Sequence, residues 1–271
     1  MRILVLRGGG LARRRHGLRP ASSRRGTRDR GAMALGSGNG QGVLLNVSAA
    51  VAHQLESDER LDAHAGLHDA TSRTVVLTDA QVDHVGGLLS LRDGPPIDLY
   101  ATPAVFEALT TALPVLPVLQ HYCGVHWHVV PVAGDTRQAS FRVDSLPDFE
   151  FTAIATQAPS LPHAAPGQHP RVGDSIVLAV RDMASGKRVF CAQGAAPTSG
   201  LAFDWMREAD CLLMDGPDDS ALGNTDWMDR LGRLPARHKV LFAAEPGSDG
   251  QTQALADRGI RMAYDGMEIV L

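Results

Sequence analysis

The sequence holds only three cysteines in 271 residues, Cys123, Cys191 and Cys211, and none stands close enough to another for a zinc knuckle or a thioredoxin-like redox pair. So sparse and odd a count suits a reducing compartment, and a cytoplasmic location is expected. No apolar run approaches the roughly 20 residues that span a bilayer, so no membrane span is predicted. Gly8, Gly9 and Gly10 are not followed by the Lys-Ser/Thr pair of a phosphate-binding loop, and no Gly-x-Ser-x-Gly element occurs. No cysteine has an evident histidine partner either. Nucleophilic hydrolysis and loop-type phosphate binding therefore have no support. The net charge of -4 gives no overall basis for binding nucleic acid.

What is present is globular in kind, with 44% hydrophobic and 21% charged residues. A single domain over residues 1–271 is the expected organisation, interrupted by a long Arg-, Gly- and Ser-rich loop over about 11–42. Eight arginines lie between Arg13 and Arg30, as a solvated loop or an arm drawn to RNA or membranes. A twin-arginine export signal needs an apolar stretch after the basic pair, whereas Arg14 and Arg15 lead into polar residues.

Outside that loop, short apolar runs punctuate the chain. The opening RILVLR predicts a buried strand entering a glycine turn. GVLLNVS, TVVLT and DLYAT then alternate with helical stretches, and Pro103 is suited to the first turn of a helix over PAVFEALTTAL. From about Val125 to Gln193 successive strands are predicted, with Ala184–Lys187 as a hairpin turn between the last two. Alternation returns through CLLMD, KVLFA and the closing MEIVL. Alternation, then strands, then alternation argues for an α/β fold of two sheets packed face to face with helices outside.

The segment TVVLTDAQVDHVGGLLSLR carries the most chemistry. Its strand ends near Thr78 and helical spacing begins near Val85, so Asp79, Gln81, Asp83 and His84 project from a strand-to-helix turn, where α/β folds hold ligands. The stretch resembles the His-x-His-x-Asp-His-x-Gly-Gly signature of metallo-β-lactamase-fold hydrolases, with Asp83, His84, Gly86 and Gly87 in place but Asp79 and Gln81 where its first two histidines stand. The alternative is that Asp83 and His84 only hydrogen-bond the turn and cap the following helix.

Further runs, in order, make the resemblance narrower. DLYATPAVFEALT, LQHYCGVHWHVVPVAGD, VGDSIVLAVRD, WMREADCLLMDG and RGIRMAYDGMEIVL are similar to the pyrroloquinoline quinone biosynthesis protein B family, most of which also lacks the first two histidines. The resemblance implies a metallo-β-lactamase-like αββα sandwich of two mixed β-sheets. It also implies a part in making the redox cofactor pyrroloquinoline quinone (PQQ). That part is either binding or carrying PQQ or its tyrosine-derived precursor, towards transport to the periplasm, or metal-dependent oxygenation of the precursor. A diverged paralogue in another pathway is the third option.

Several departures weaken the implied metal chemistry. The family's cysteine cluster after the first strand is missing from residues 11–30, so its structural zinc is expected to be absent. The segment after Asp215 and Gly216 lacks the family's Gly-His-x-Pro element, and Ala243 stands where a late histidine falls. The ligand pocket is expected to draw on Asp79, Gln81, Asp83, His84, His163 and Asp215, with Asp83 and His84 as the catalytic candidates and the ligands of a weakly held divalent metal, iron or zinc. No tightly bound cofactor is expected. The partner is a small quinone or tyrosine-derived molecule, with a homodimer compatible and no nucleic acid. His126 and His128 flank Trp127 in a strand and face one side, a spacing that permits a metal pair, although aromatic-rich strands ordinarily face a core or a partner. His169 lies with His163 in a loop able to overhang the site, and Asp174 sits by a strand where it could also be a turn acceptor.

Overall fold

The computed structural model describes residues 1–8, 31–37, 42–49, 51, 55, 73–156, 169–192, 200–215, 225–242 and 249–271. Two seven-stranded sheets are formed. The first runs through β1 (Arg2–Arg7), β2 (Ala32–Gly36), β3 (Gly42–Leu45), β4 (Arg73–Val76), β5 (Ile97–Ala101) and β6 (Val125–Val129), with β14 (Met267–Val270) beside β1. The second has the order β13 (Ile260–Met262), β12 (His238–Phe242), β11 (Cys211–Asp215), β10 (Arg188–Ala192), β9 (Ile176–Asp182), β8 (Leu146–Ala155), β7 (Gln138–Val143). Each sheet is mixed. Neighbours are antiparallel from β14 to β3 and from β7 to β10, and parallel from β3 to β6 and from β10 to β13.

The period-two rule places the layers. Along β1, Ile3 and Val5 join the core between the sheets, where Phe149, Phe151 and Leu178 of the second sheet meet them. Leu4 and Leu6 turn to the opposite face, against Val105, Leu109 and Leu116. These belong to α2 (Pro103–Thr110) and α3 (Val115–Leu119). The outer face of the second sheet is covered in the same way by α4 (Gly200–Arg207), α5 (Thr225–Gly232) and α6 (Asp249–Ala256). The result is the four-layer αββα sandwich, since parallel neighbours need crossover helices and each sheet must bury both faces.

Local signals mostly behave as expected. Thr102 caps α2 by accepting from Val105 N at 3.2 Å, and Pro103 occupies its first turn. Three details differ. The loop foreseen over 11–42 is interrupted by β2, because Ala32–Gly36 is small and apolar enough to bury completely while pairing with β1 and β3. The helix after the signature motif is not continuous: α1 (Val82–Val85) gives way to a 3₁₀ turn over Gly86–Leu91, as two poor helix formers in succession permit. The short strand β13 and helix α3 carry too few residues for a readable period.

Candidate functional site at the strand ends

The site begins where β3 and β4 run out side by side. Asn46 follows β3 with φ 57, a left-handed conformation that asparagine tolerates better than most residues. Its side chain then grips the end of the neighbouring chain: Nδ2 donates to Thr78 Oγ1 at 2.9 Å, and Oδ1 accepts from Thr78 N at 3.0 Å. The second sheet meets the same turn. Ile176 N donates to Thr78 O at 2.9 Å, and Asp79 forms an isolated antiparallel bridge with Ser175. Asp79 is thus held from both sheets and fully buried.

Asp79 in turn organises the helix that follows. Its Oδ1 accepts from Gln81 N at 2.8 Å and lies 2.7 Å from His84 Nδ1. A carboxylate only accepts, so Nδ1 carries the proton of this contact and Nε2 is left as the ring's binding nitrogen. Burial alone would push the His84 imidazole towards its neutral form, but Asp79, through its charge and hydrogen bond, and the charges of Asp215 and Asp83 outweigh it. The His84 pKa therefore stands above its ordinary 6.5. The backbone is pinned as well: Val47 N donates to His84 O at 2.7 Å, and Gly87 N to Val47 O at 2.9 Å. Gly87 lies so close to Ser48 that a Cβ would enter its backbone, which explains the second glycine of the motif.

The structure brings Asp79, Gln81, Asp83 and His84 to one turn, with Asp83 and Gln81 half-buried. Asp215, buried at the end of β11, comes near enough from the other sheet for its charge to act on His84. His163 and Ala243 lie outside the described residues. His169 is exposed. Asp174 accepts from Arg171 N at 2.6 Å, the role of a turn acceptor. Gln81, at the N-cap of α1, makes no side-chain cap; of the two residues in the turn-bonding alternative, His84 does bond the turn through Asp79, and Asp83 lies in the helix's first turn. Cys191 and Cys211 are buried and free, with burial pushing the Cys191 thiol upward and the Cys211 thiol up to about 12. Asn46, Thr78 and Ser175 had no signal in the sequence, since their pairings join segments far apart in the chain.

A catalytic zinc ordinarily takes three protein ligands. Asp79, in the place of the signature's first histidine, is engaged with His84 and Gln81 N, and an amide at Gln81 is a poor substitute for an imidazole. Among the described residues no three His, Cys, Asp or Glu side chains are arranged to hold a metal ion. The described donors do not fit a tightly held catalytic metal.

Sandwich and strand-end turn define a class, and a family model described as the beta-lactamase superfamily domain matches residues 43–247. Coenzyme PQQ synthesis protein B of Klebsiella pneumoniae is 31% identical over 94% of this chain and 90% of that protein. Its counterpart in Cupriavidus necator is 33% identical over 94% of this chain and 92% of that protein. The chain belongs to the coenzyme PQQ synthesis protein B family. Among solved structures, zinc-bound PqqB from Methylobacterium extorquens matches with a TM-score of 0.75 at 19% identity, covering 100% of both chains. A diphosphatase of the PhnP family matches at 0.61 and 15%, over 99% of this chain and 97% of that one. Both likenesses concern the fold. No helix among the described residues is long and apolar enough to cross a membrane.

Proposed function

We propose that this chain serves PQQ synthesis as a binding protein, holding the tyrosine-derived precursor or PQQ itself at the strand-end turn formed by Asp79, Gln81, Asp83, His84 and Asp215. The carrying observation is the Asp79–His84 contact of 2.7 Å: the residue in the first signature position supports a histidine instead of coordinating beside it. The turn is tied by hydrogen bonds to β3 and to the second sheet, so its polar groups are placed in advance. Asp79, Asp215 and Asp83 all act on His84 as a negative field. A divalent metal, iron or zinc, would be held weakly, through His84 Nε2 and Asp83. Cytoplasmic binding followed by hand-over towards the periplasm accords with this role.

Calorimetric titration with the precursor and with PQQ tests the reading. Expected is a saturable heat with the precursor or with PQQ, and its loss in Asp79→Asn. Folded protein that binds neither compound would refute it. A second reading, a metal-dependent oxygenase with a minimal site, draws support from the zinc-bound state of the Methylobacterium extorquens protein. That enzyme would have to recruit a further ligand such as His163.

A further inference from the structure

The two sheets leave four edge strands among the described residues, β6, β7, β13 and β14. A sheet edge presents main-chain donors and acceptors to any passing strand, and proteins guard it with charge, a bulge or shortness. Three of the four edges are guarded in this way. β7 carries Arg142 and a register shift between Phe141 and Val143, β13 is three residues long with Arg261 at its centre, and β14 holds Glu268. β6 has none of these devices: Val125, His126, Trp127, His128 and Val129 suit a strand and bring no Lys, Arg, Asp or Glu.

Hydrogen-bond parity shows which groups face outward. Gly124 O accepts from Ile97 N at 3.1 Å and Val130 N donates to Ala101 O at 3.0 Å, so His126 and His128 turn their backbone towards β5, and Val125, Trp127 and Val129 turn theirs to the open side. Val125 O accepts there from Gln120 Nε2 at 2.8 Å and keeps its second lone pair. The strand is anchored from behind, since the Trp127 indole stacks on Phe106 at 3.9 Å and donates to Ala101 O at 3.0 Å. Val129 is 50% exposed, and Val118 and Tyr122, shortly before the strand, are exposed as well.

The order Val-His-Trp-His-Val reads the same in both directions, which favours the strand's own copy as its partner. Antiparallel pairing about a two-fold axis at Trp127 sets Trp127 beside the partner's Trp127 and Val125 beside the partner's Val129. These are the outward-facing residues, so every such pair exchanges both main-chain bonds. Between them His126 meets the partner's His128, while Asp98 in each copy holds its own two imidazoles at 3.3 and 3.2 Å from behind the seam. With the imidazoles neutral, no like charges stand opposite each other. We infer that β6 is the seam of a homodimer, through which the first sheets of two copies of this chain join into one continuous sheet.

Sedimentation equilibrium of the full chain over a range of concentrations tests the seam. A reversible monomer–dimer equilibrium is expected. Val129→Pro deletes an outward-facing N–H, and His126→Lys sets an ammonium opposite the partner's His128 from a side chain that is exposed in the monomer. Each should weaken association by about tenfold or more, with the circular dichroism of the fold unchanged. Val270→Lys, at an exposed side chain on β14 along the other edge of the same sheet, should leave association unaltered. A chain that stays monomeric, which would leave the edge to a strand of another protein, or a dimer that keeps its strength in either folded β6 variant, would overturn the assignment. So would a dimer dissolved by Val270→Lys.

Discussion

The two glycines of the signature motif sit side by side in different surroundings, and exchanging each for alanine separates the physics of the turn from mere sequence pattern. At Gly86 the backbone is ordinary right-handed helix, φ -61, and the nearest atom to an added Cβ is the Val82 side chain at 3.8 Å. Alanine there narrows the unfolded ensemble without strain and should stabilise the protein by about 0.4–1 kcal/mol. At Gly87 the same methyl would drive into the Ser48 carbonyl group, 2.6 Å from its carbon, with Val47 Cγ1 at 2.8 Å. Overpacking costs about 1–3 kcal/mol when side chains can yield. Here the main obstacle is backbone, and moving it stretches the 2.9 Å Gly87–Val47 hydrogen bond, worth about another 1 kcal/mol. The sum is about 2–4 kcal/mol, or a melting temperature lower by about 4–16 °C for a chain of this size. Urea unfolding followed by tryptophan fluorescence, paired with calorimetry, measures both variants. Gly87→Ala within about 1 kcal/mol of the parent, or Gly86→Ala as damaging as Gly87→Ala, would refute the packing argument.

Other consequences are equally direct. Because the folded-state pKa of His84 is raised, its contribution to stability is complete below the ordinary value of 6.5 and fades as pH rises through the folded value. Urea midpoints between pH 6 and 8.5 should accordingly fall more in the parent than in His84→Gln, and parallel curves would contradict the buried ion pair. Asn46→Ala removes the partner of Thr78 N and Oγ1 and puts a less tolerant residue at φ 57, costing about 2–4 kcal/mol in thermal or urea unfolding. A loss under about 0.5 kcal/mol would show that the clasp does not hold the turn. Native protein should offer one accessible thiol, Cys123, to a thiol reagent and three after unfolding, since Cys191 and Cys211 are buried. Rapid labelling of two thiols before unfolding would contradict this packing.

Much of the fold was legible because its signals are local and repeated. Alternate residues of β1 serve two cores, and Thr102 with Pro103 starts α2 as such pairs do. The strand-to-helix turn was equally readable, for a β-branched run ending in polar residues and a glycine pair needs no partner to announce itself. β2 was hidden in an arginine-rich surrounding, where a run of only five residues becomes a strand through pairing on both sides. The role of Asp79 was hidden too. As a letter in a motif it stands for a lost ligand, whereas its contacts make it the support of His84, tied to the second sheet through Ser175. Asn46 and Thr78, 32 residues apart, are joined by tertiary geometry that no spacing rule contains.

The central claim is that the turn binds a precursor without completing a catalytic metal centre, and one reaction addresses it most directly. Ferrous-reconstituted protein is mixed anaerobically with the tyrosine-derived precursor, pulsed with oxygen and sampled for hydroxylated product over a single turnover, beside His84→Ala. An iron oxygenase commonly holds its metal with two histidines and a carboxylate, a set the described residues around His84 do not supply. The account predicts bound, unchanged precursor in the parent chain. Stoichiometric product from the parent, absent in His84→Ala, would contradict it and establish the oxygenase.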